Sequence, residues 1–181
     1  MQLVIYILVY PFLWTVSRLP HKLFYGLSDF FCFWVYRVFG YRKKVVSANL
    51  KLVFPEKSAK ELKKIEKEFY GHLCDLFMEM VKTMNLSLEK ANIRYNVTNK
   101  EYMQALEKEK SILVVCGHYA NWEWNLSISS FLDSKGYAVY QKIENVYFDR
   151  WVKRNRSKWN THPLLQKDTI KTVIANERNN V

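Results

Sequence analysis

Five consecutive apolar residues, Ile112-Leu113-Val114-Val115-Cys116, run straight into Gly117 and His118, and this stretch constrains the fold more than any other. A short, β-branched run without polar alternation is the pattern of a strand buried on both faces, as in parallel or mixed sheets. Gly117 allows the backbone to turn sharply. From Asn121 the pattern becomes helical, with Trp122, Leu126, Ser129 and Phe131 spread over a helical period. His118 is therefore expected just past the strand's carboxyl end, where open α/β sheets collect ligands and chemistry.

The spacing of His118 and Glu123 sharpens this. Inside one helix, five steps would turn the two side chains apart by roughly 140°. They converge only if His118 lies in the turn and Glu123 in the first turns of the helix. Glu123 could then accept the Nδ1–H of His118 and leave Nε2 as a base. The unpaired N–H groups of the helix start could stabilise an oxyanion. The competing reading is a surface histidine beside an amphipathic helix with a solvated Glu123.

The formal charge of +11 calls for an anionic partner: nucleic acid, an anionic membrane or a phosphorylated substrate. A chain of 181 residues, 49% of them hydrophobic, is long and apolar enough for a real core, which excludes a disordered tail. Cys32, Cys74 and Cys116 are scattered and odd in number, so neither a zinc site nor a disulfide framework is expected. Cys116 sits two residues from His118 and offers a thiol nucleophile as a lesser alternative. A thiol in an apolar run is more often a small buried hydrophobe.

Residues 1–16 are almost wholly apolar, slightly short of the roughly 20 needed to span a bilayer, and lack the charged start of a secretory signal. Residues 23–41 are crowded with aromatics, the composition of a bilayer interface, and Arg42-Lys43-Lys44 follows directly. A span or a membrane-embedded helical pair is expected here, with a buried hairpin as the alternative. Ser58 and Glu61 form a capping box opening a long helix over about 59–84, with Leu62, Ile65, Phe69, His72, Leu73, Leu76, Phe77 and Met80 on its apolar side. Strands are expected at 93–97, 112–116, 137–142 and 161–165, with helices at 100–109, 145–160 and from 170. The β-α-β succession predicts parallel pairing. The helix over 145–160 is strongly basic, with interleaved aromatics, but no nucleic-acid-binding motif accompanies it, so a phosphate-bearing lipid or carrier fits better. The expected fold is α/β: a mixed, mostly parallel sheet flanked by helices. Residues 1–44 form a hydrophobic membrane anchor and residues 45–181 the α/β domain.

The block Gly117-His118-Tyr119-Ala120-Asn121-Trp122-Glu123 resembles the His-x4-Asp/Glu block of the glycerolipid and lipid A acyltransferase superfamily. In order along the chain, Tyr41-Arg42-Lys43-Lys44, Asn49-Leu50, Phe54-Pro55-Glu56, Phe69-Tyr70-Gly71-His72-Leu73 and Arg154-Asn155-Arg156-Ser157 make the whole similar to the lauroyl/myristoyl-type late acyltransferases of lipid A biosynthesis. The resemblance implies acyl transfer from an acyl-thioester, commonly acyl carrier protein, to a hydroxyl of a phosphorylated glycolipid, on the cytoplasmic side of a bacterial inner membrane. It implies His118 as general base, Glu123 as its orienting carboxylate, and Arg156, then Arg154, with Asn121, as substrate-binding residues. No metal or cofactor is implied, because the thioester is already activated. Members of that family continue past the end of this chain, so a C-terminally incomplete domain is expected. Acyl transfer to another lipid and an inactive membrane-binding remnant stay open beside the main reading; nucleic acid is not an expected partner.

Overall fold

A computed structural model describes residues 1–178. By its internal contacts the chain divides into two units, Leu13–Met84 and Met1–Phe12 with Asn85–Val181. Helix α1 (Gln2–Arg18) contributes to both, and among the described residues no helix is long and apolar enough to cross a membrane.

The unit Leu13–Met84 is helical. Helix α2 (His21–Phe33) lies against α4 (Ala59–Lys82), and a π-helical turn, Trp34–Val38, leads on to α3 (Lys43–Val53). Val16, Phe24 and Met78 form the buried core, with Leu19, Leu27, Phe31 and Val81 packed round it. Polar bonds fasten the same interface: Tyr25 Oη donates to Glu79 Oε1 at 2.6 Å, and Lys82 Nζ donates to the Leu19 carbonyl. The capping box at Ser58 forms as expected, with Ser58 N donating to Glu61 Oε2 at 2.9 Å and Glu61 N to Ser58 Oγ at 3.4 Å.

The buried face of α4 differs from the expected one. Glu66, Tyr70, Cys74, Leu76 and Met78 are buried, whereas Phe69, His72 and Phe77 are exposed. A glutamate occupies the inner face because its charge is matched there. Tyr36 Oη donates to Glu66 Oε1 at 2.9 Å and Lys63 Nζ to the same oxygen at 2.7 Å. The Tyr36 and Tyr70 rings then pack 4.8 Å apart, joining the π turn to α4. Hydropathy alone ranks a glutamate as solvent-facing, so a paired buried carboxylate turns the helix relative to its apolar stripe.

The second unit contains α5 (Leu88–Arg94), α6 (Lys100–Glu107), a 3-10 helix (Trp122–Phe131), β1 (Gly136–Tyr140), α7 (Val146–Arg156), β2 (Thr161–Leu165) and α8 (Thr169–Arg178). Strands β1 and β2 pair in parallel, from Gly136 opposite Thr161 to Tyr140 opposite Leu165. Among the described residues this two-stranded sheet is the whole of the β structure, so the expected larger sheet is corrected to a mostly helical chain with one β-α-β unit. Residues 112–116 are not a strand: they join no ladder, and Leu113 and Val115 are 88% and 85% exposed. An apolar run becomes a strand only where a neighbour takes its N–H and C=O groups, and β1 and β2 satisfy each other instead. Residues 93–97 begin inside helix α5, not a strand. Ser87 Oγ accepts from Lys90 N at 3.4 Å and caps that helix, and Ala91 is fully buried, so cap and packing override local β preference.

Candidate active site

The segment after His118 is anchored residue by residue. Asn121 Oδ1 accepts from Glu123 N at 3.0 Å and caps the 3-10 helix Trp122–Phe131. An α-helix was expected here. Ser127 Oγ donates back to the Trp124 carbonyl at 2.9 Å and Ser130 Oγ to the Ser127 carbonyl at 2.6 Å. Hydroxyls that reach carbonyls three residues back favour the tighter i→i+3 winding. The buried Trp124 plugs into a cluster with Leu86 and Ala91, flanked by Tyr95 and Trp159. Glu107 oxygens accept from Asp133 N and Ser134 N at 3.2 and 2.9 Å, and these hydrogen bonds hold its carboxyl below the usual range even against burial.

Asn160 ties this helix to the sheet. Its Nδ2 faces the carbonyls of Ser129, Leu132 and Ser134 at 3.3, 3.2 and 2.9 Å, and its own carbonyl accepts from Gly136 N at 3.2 Å. Trp159 and Asn160 both have positive φ, 58° and 62°, which turns the chain sharply from α7 into β2. Thr161 Oγ1 adds a bond to the Leu126 carbonyl at 2.9 Å. At Gly136 a Cβ would lie 1.9 Å from Ser129 Oγ, so glycine is required for β1 to start this close to the helix.

This framework sets Glu123 and Arg156 face to face. Arg156 Nε donates to Glu123 Oε1 and Arg156 NH2 to Glu123 Oε2, both at 2.7 Å, a bidentate pair. Glu123 is buried and Arg156 nearly so, with side-chain exposures of 7% and 20%. The hydrogen bonds to Glu123 raise the Arg156 guanidinium above its ordinary range, outweighing burial.

Of the residues singled out in the sequence, the structure brings together Asn121, Glu123 and Arg156. It leaves His118 apart from them: His118 is exposed, its ring 4.6 Å from that of Trp122, and no hydrogen bond joins it to Glu123. Arg154, two residues before Arg156 on α7, is exposed and carries no ion pair among the described residues. Nearby, burial first and then the charge of Arg154 lower the Lys158 ammonium. Cys116 is exposed rather than buried in a strand, and its Sγ receives Asn125 Nδ2 at 3.0 Å. Among the described residues no group of three His, Cys, Asp or Glu side chains gathers to hold a metal ion. Sequence reading missed the knot at Asn160 and the support of His118 by Trp122. The first carries a faint signal, an asparagine between a basic helix and a strand, which suits the left-handed region; the second lies inside the motif but has no distinguishing spacing.

A family model for bacterial lipid A biosynthesis acyltransferases matches residues 1–181, the entire chain. The protein belongs to that family. No curated protein matches the sequence, and no solved structure matches the fold.

Proposed function

We propose that this chain is a membrane-associated O-acyltransferase that moves a fatty acyl group from an acyl-thioester, carried by acyl carrier protein, to a hydroxyl of a phosphorylated lipid A precursor. The observation that carries the reading is the position of His118, open to solvent in the turn immediately before a rigidly anchored Asn121-Trp122-Glu123 segment, in a chain matched to the family from end to end. In this reading His118 takes the acceptor's hydroxyl proton as the oxygen attacks the thioester carbonyl. The tetrahedral oxyanion collapses, the C–S bond breaks, and the thiol leaves with the proton returned from His118.

Glu123 orients the imidazole rather than carrying its charge, since Arg156 already offsets the carboxylate. Arg156 fills one lone-pair position on each of its oxygens, which leaves others for His118 Nδ1–H once substrate orders the turn at 117–120. Arg154 meets the phosphate of the acceptor or of the donor's arm, with Arg156 behind it and Asn121 fixing the segment. The site faces the cytoplasmic side of a bacterial inner membrane, where thioester donors are made.

The test is acyl transfer by membranes containing the chain, with labelled acyl carrier protein donor and a lipid A precursor, wild type against His118→Ala. Transfer that disappears in the variant supports the reading. Transfer that persists removes His118 from the chemistry, and transfer only to a different lipid hydroxyl moves the acceptor assignment.

A further inference from the structure

Helices α2 and α4 bring together two thiols that the acyl-transfer chemistry does not use. The helices run antiparallel: Phe24 clusters with Met78, Tyr25 Oη bonds Glu79 Oε1, and further on the Tyr36 ring packs 4.8 Å from that of Tyr70. Cys32 lies about one turn before Tyr36, and Cys74 about one turn after Tyr70. In an antiparallel register those two positions meet across the interface, between contacts that fix it on either side. The side chains bear out the pairing. Burial, then the charge of Cys32 and a hydrogen bond between the two side chains, push the Cys74 thiol up to about 12.

The two sulfurs differ in access. Cys74 is 7% exposed, whereas Cys32 is half-buried and lines a cleft together with Arg37, Lys67 and Gly71. A Cβ added at Gly71 would meet nothing within 4 Å, so the missing side chain leaves the cleft open there. A small uncharged oxidant can reach Cys32 by this route, while Cys74 is shielded behind it. An accessible thiol backed by a shielded one is the arrangement of a reactive and a resolving cysteine.

We infer that Cys32 and Cys74 form a modification site for peroxides, closing a reversible disulfide that locks α2 to α4. The Cys32 sulfur attacks the O–O bond of hydrogen peroxide, giving a sulfenic acid and one water. The Cys74 sulfur then displaces the hydroxyl from the Cys32 sulfur. The S–S bond forms, and the hydroxyl leaves with the Cys74 proton as a second water. The two thiols together lose two electrons, which the peroxide gains. A dithiol reductant reverses the bond by thiol–disulfide exchange. The closed loop contains the π turn and α3, so oxidation restrains a long stretch of the unfolded chain and stabilises the helical unit.

The experiment uses the full chain carrying Cys116→Ser, which removes the exposed third thiol. The protein is reduced, freed of reductant and treated with hydrogen peroxide, and remaining thiols are blocked with N-ethylmaleimide. Expected is a monomer on a non-reducing gel that has lost both thiols together. Peptide mass spectrometry should show Cys32 linked to Cys74 and two hydrogen atoms lost, and dithiothreitol should restore both thiols. The oxidised monomer should melt at least about 5 °C higher than the reduced one. In Cys74→Ser, dimedone should trap a sulfenic acid on Cys32; in Cys32→Ser, the shielded Cys74 should stay reduced. The linkage in the chain that keeps both cysteines needs neither of these variants to fold. Oxidation of Cys32 to sulfinic or sulfonic acid with Cys74 still reduced overturns the inference. So does a disulfide found only between chains, or one that forms as fast in urea as in the folded protein, because the fold would then not be what brings the thiols together.

Discussion

Arg156 grips Glu123 through two parallel hydrogen bonds of 2.7 Å, so the carboxylate of the His-x4-Glu block is neutralised by a residue thirty-three positions further on. Removing one partner leaves the other charged and nearly buried, which costs about 3 kcal/mol, toward the low end of the usual range because a fifth of the guanidinium side chain stays exposed. Glu123→Gln and Arg156→Met should each lower stability by this amount in urea unfolding. The double variant should recover much of the loss, giving a clear coupling energy in the cycle. Independent, additive effects would show that the pair contributes little to the fold.

His118 should behave oppositely. It is exposed, with its ring against that of Trp122, so His118→Ala should change stability by no more than about 0.5 kcal/mol. The same substitution should reduce acyl transfer by about 10²–10⁴, the usual contribution of a general base. Thermal unfolding and transfer assays on the same preparation separate the two effects.

The knot at Asn160 is a structural prediction. Asn160→Asp removes the amide donor shared among the Ser129, Leu132 and Ser134 carbonyls and puts a negative charge among them, at a cost of about 1–3 kcal/mol. Gly136→Ala should cost at least as much, because its Cβ would collide with Ser129 Oγ. Both variants should loosen the 3-10 helix, seen as faster amide exchange across 122–131.

The thiols should differ sharply. Burial, then the neighbouring Cys32, pushes the Cys74 thiol up to about 12, while Cys116 is exposed. Iodoacetamide at pH 8 should label Cys116 and spare Cys74 in the folded protein, read by peptide mass spectrometry. Unfolded Cys74 would ionise near 9.0 while the folded thiol stays protonated. Its contribution to stability is thus intact below that pH and declines as pH rises toward 12. Cys74→Ala should flatten this part of the alkaline stability profile.

These contrasts show which features were legible in the sequence. Local signals survived: the capping box at Ser58, the strand over 161–165 with its start at Thr161, and the basic helix α7 all lie where cap, turn and periodicity place them. Signals that depend on a distant partner did not. Residues 112–116 have every local mark of a strand and lack only the neighbour that makes one. The burial of Glu66 depends on Tyr36, thirty residues away, and the pairing of Glu123 on Arg156, thirty-three away. Around His118, spacing offers Glu123 as a neighbour along the chain and reports nothing of the Arg156 guanidinium that reaches Glu123 from another element.

The Glu66 cluster should set the acid limit of the helical unit. Burial alone would raise this carboxyl, but hydrogen bonds from Lys63 and Tyr36 outweigh it and bring it below 4.5. A carboxyl depressed in the folded state contributes stability above its unfolded value and loses it as pH falls through the folded one. Tyr36→Phe removes one of the two bonds that hold it down and leaves a buried oxygen less well satisfied. The variant should be less stable at neutral pH by about 1–3 kcal/mol, and its acid unfolding midpoint should move to higher pH. Lys63→Met should move the midpoint the same way, with the larger shift of the two because it removes a charge as well as a hydrogen bond. Circular dichroism followed from pH 7 downward reads both shifts. An acid midpoint identical in wild type and both variants would show that other carboxylates, not Glu66, set the limit.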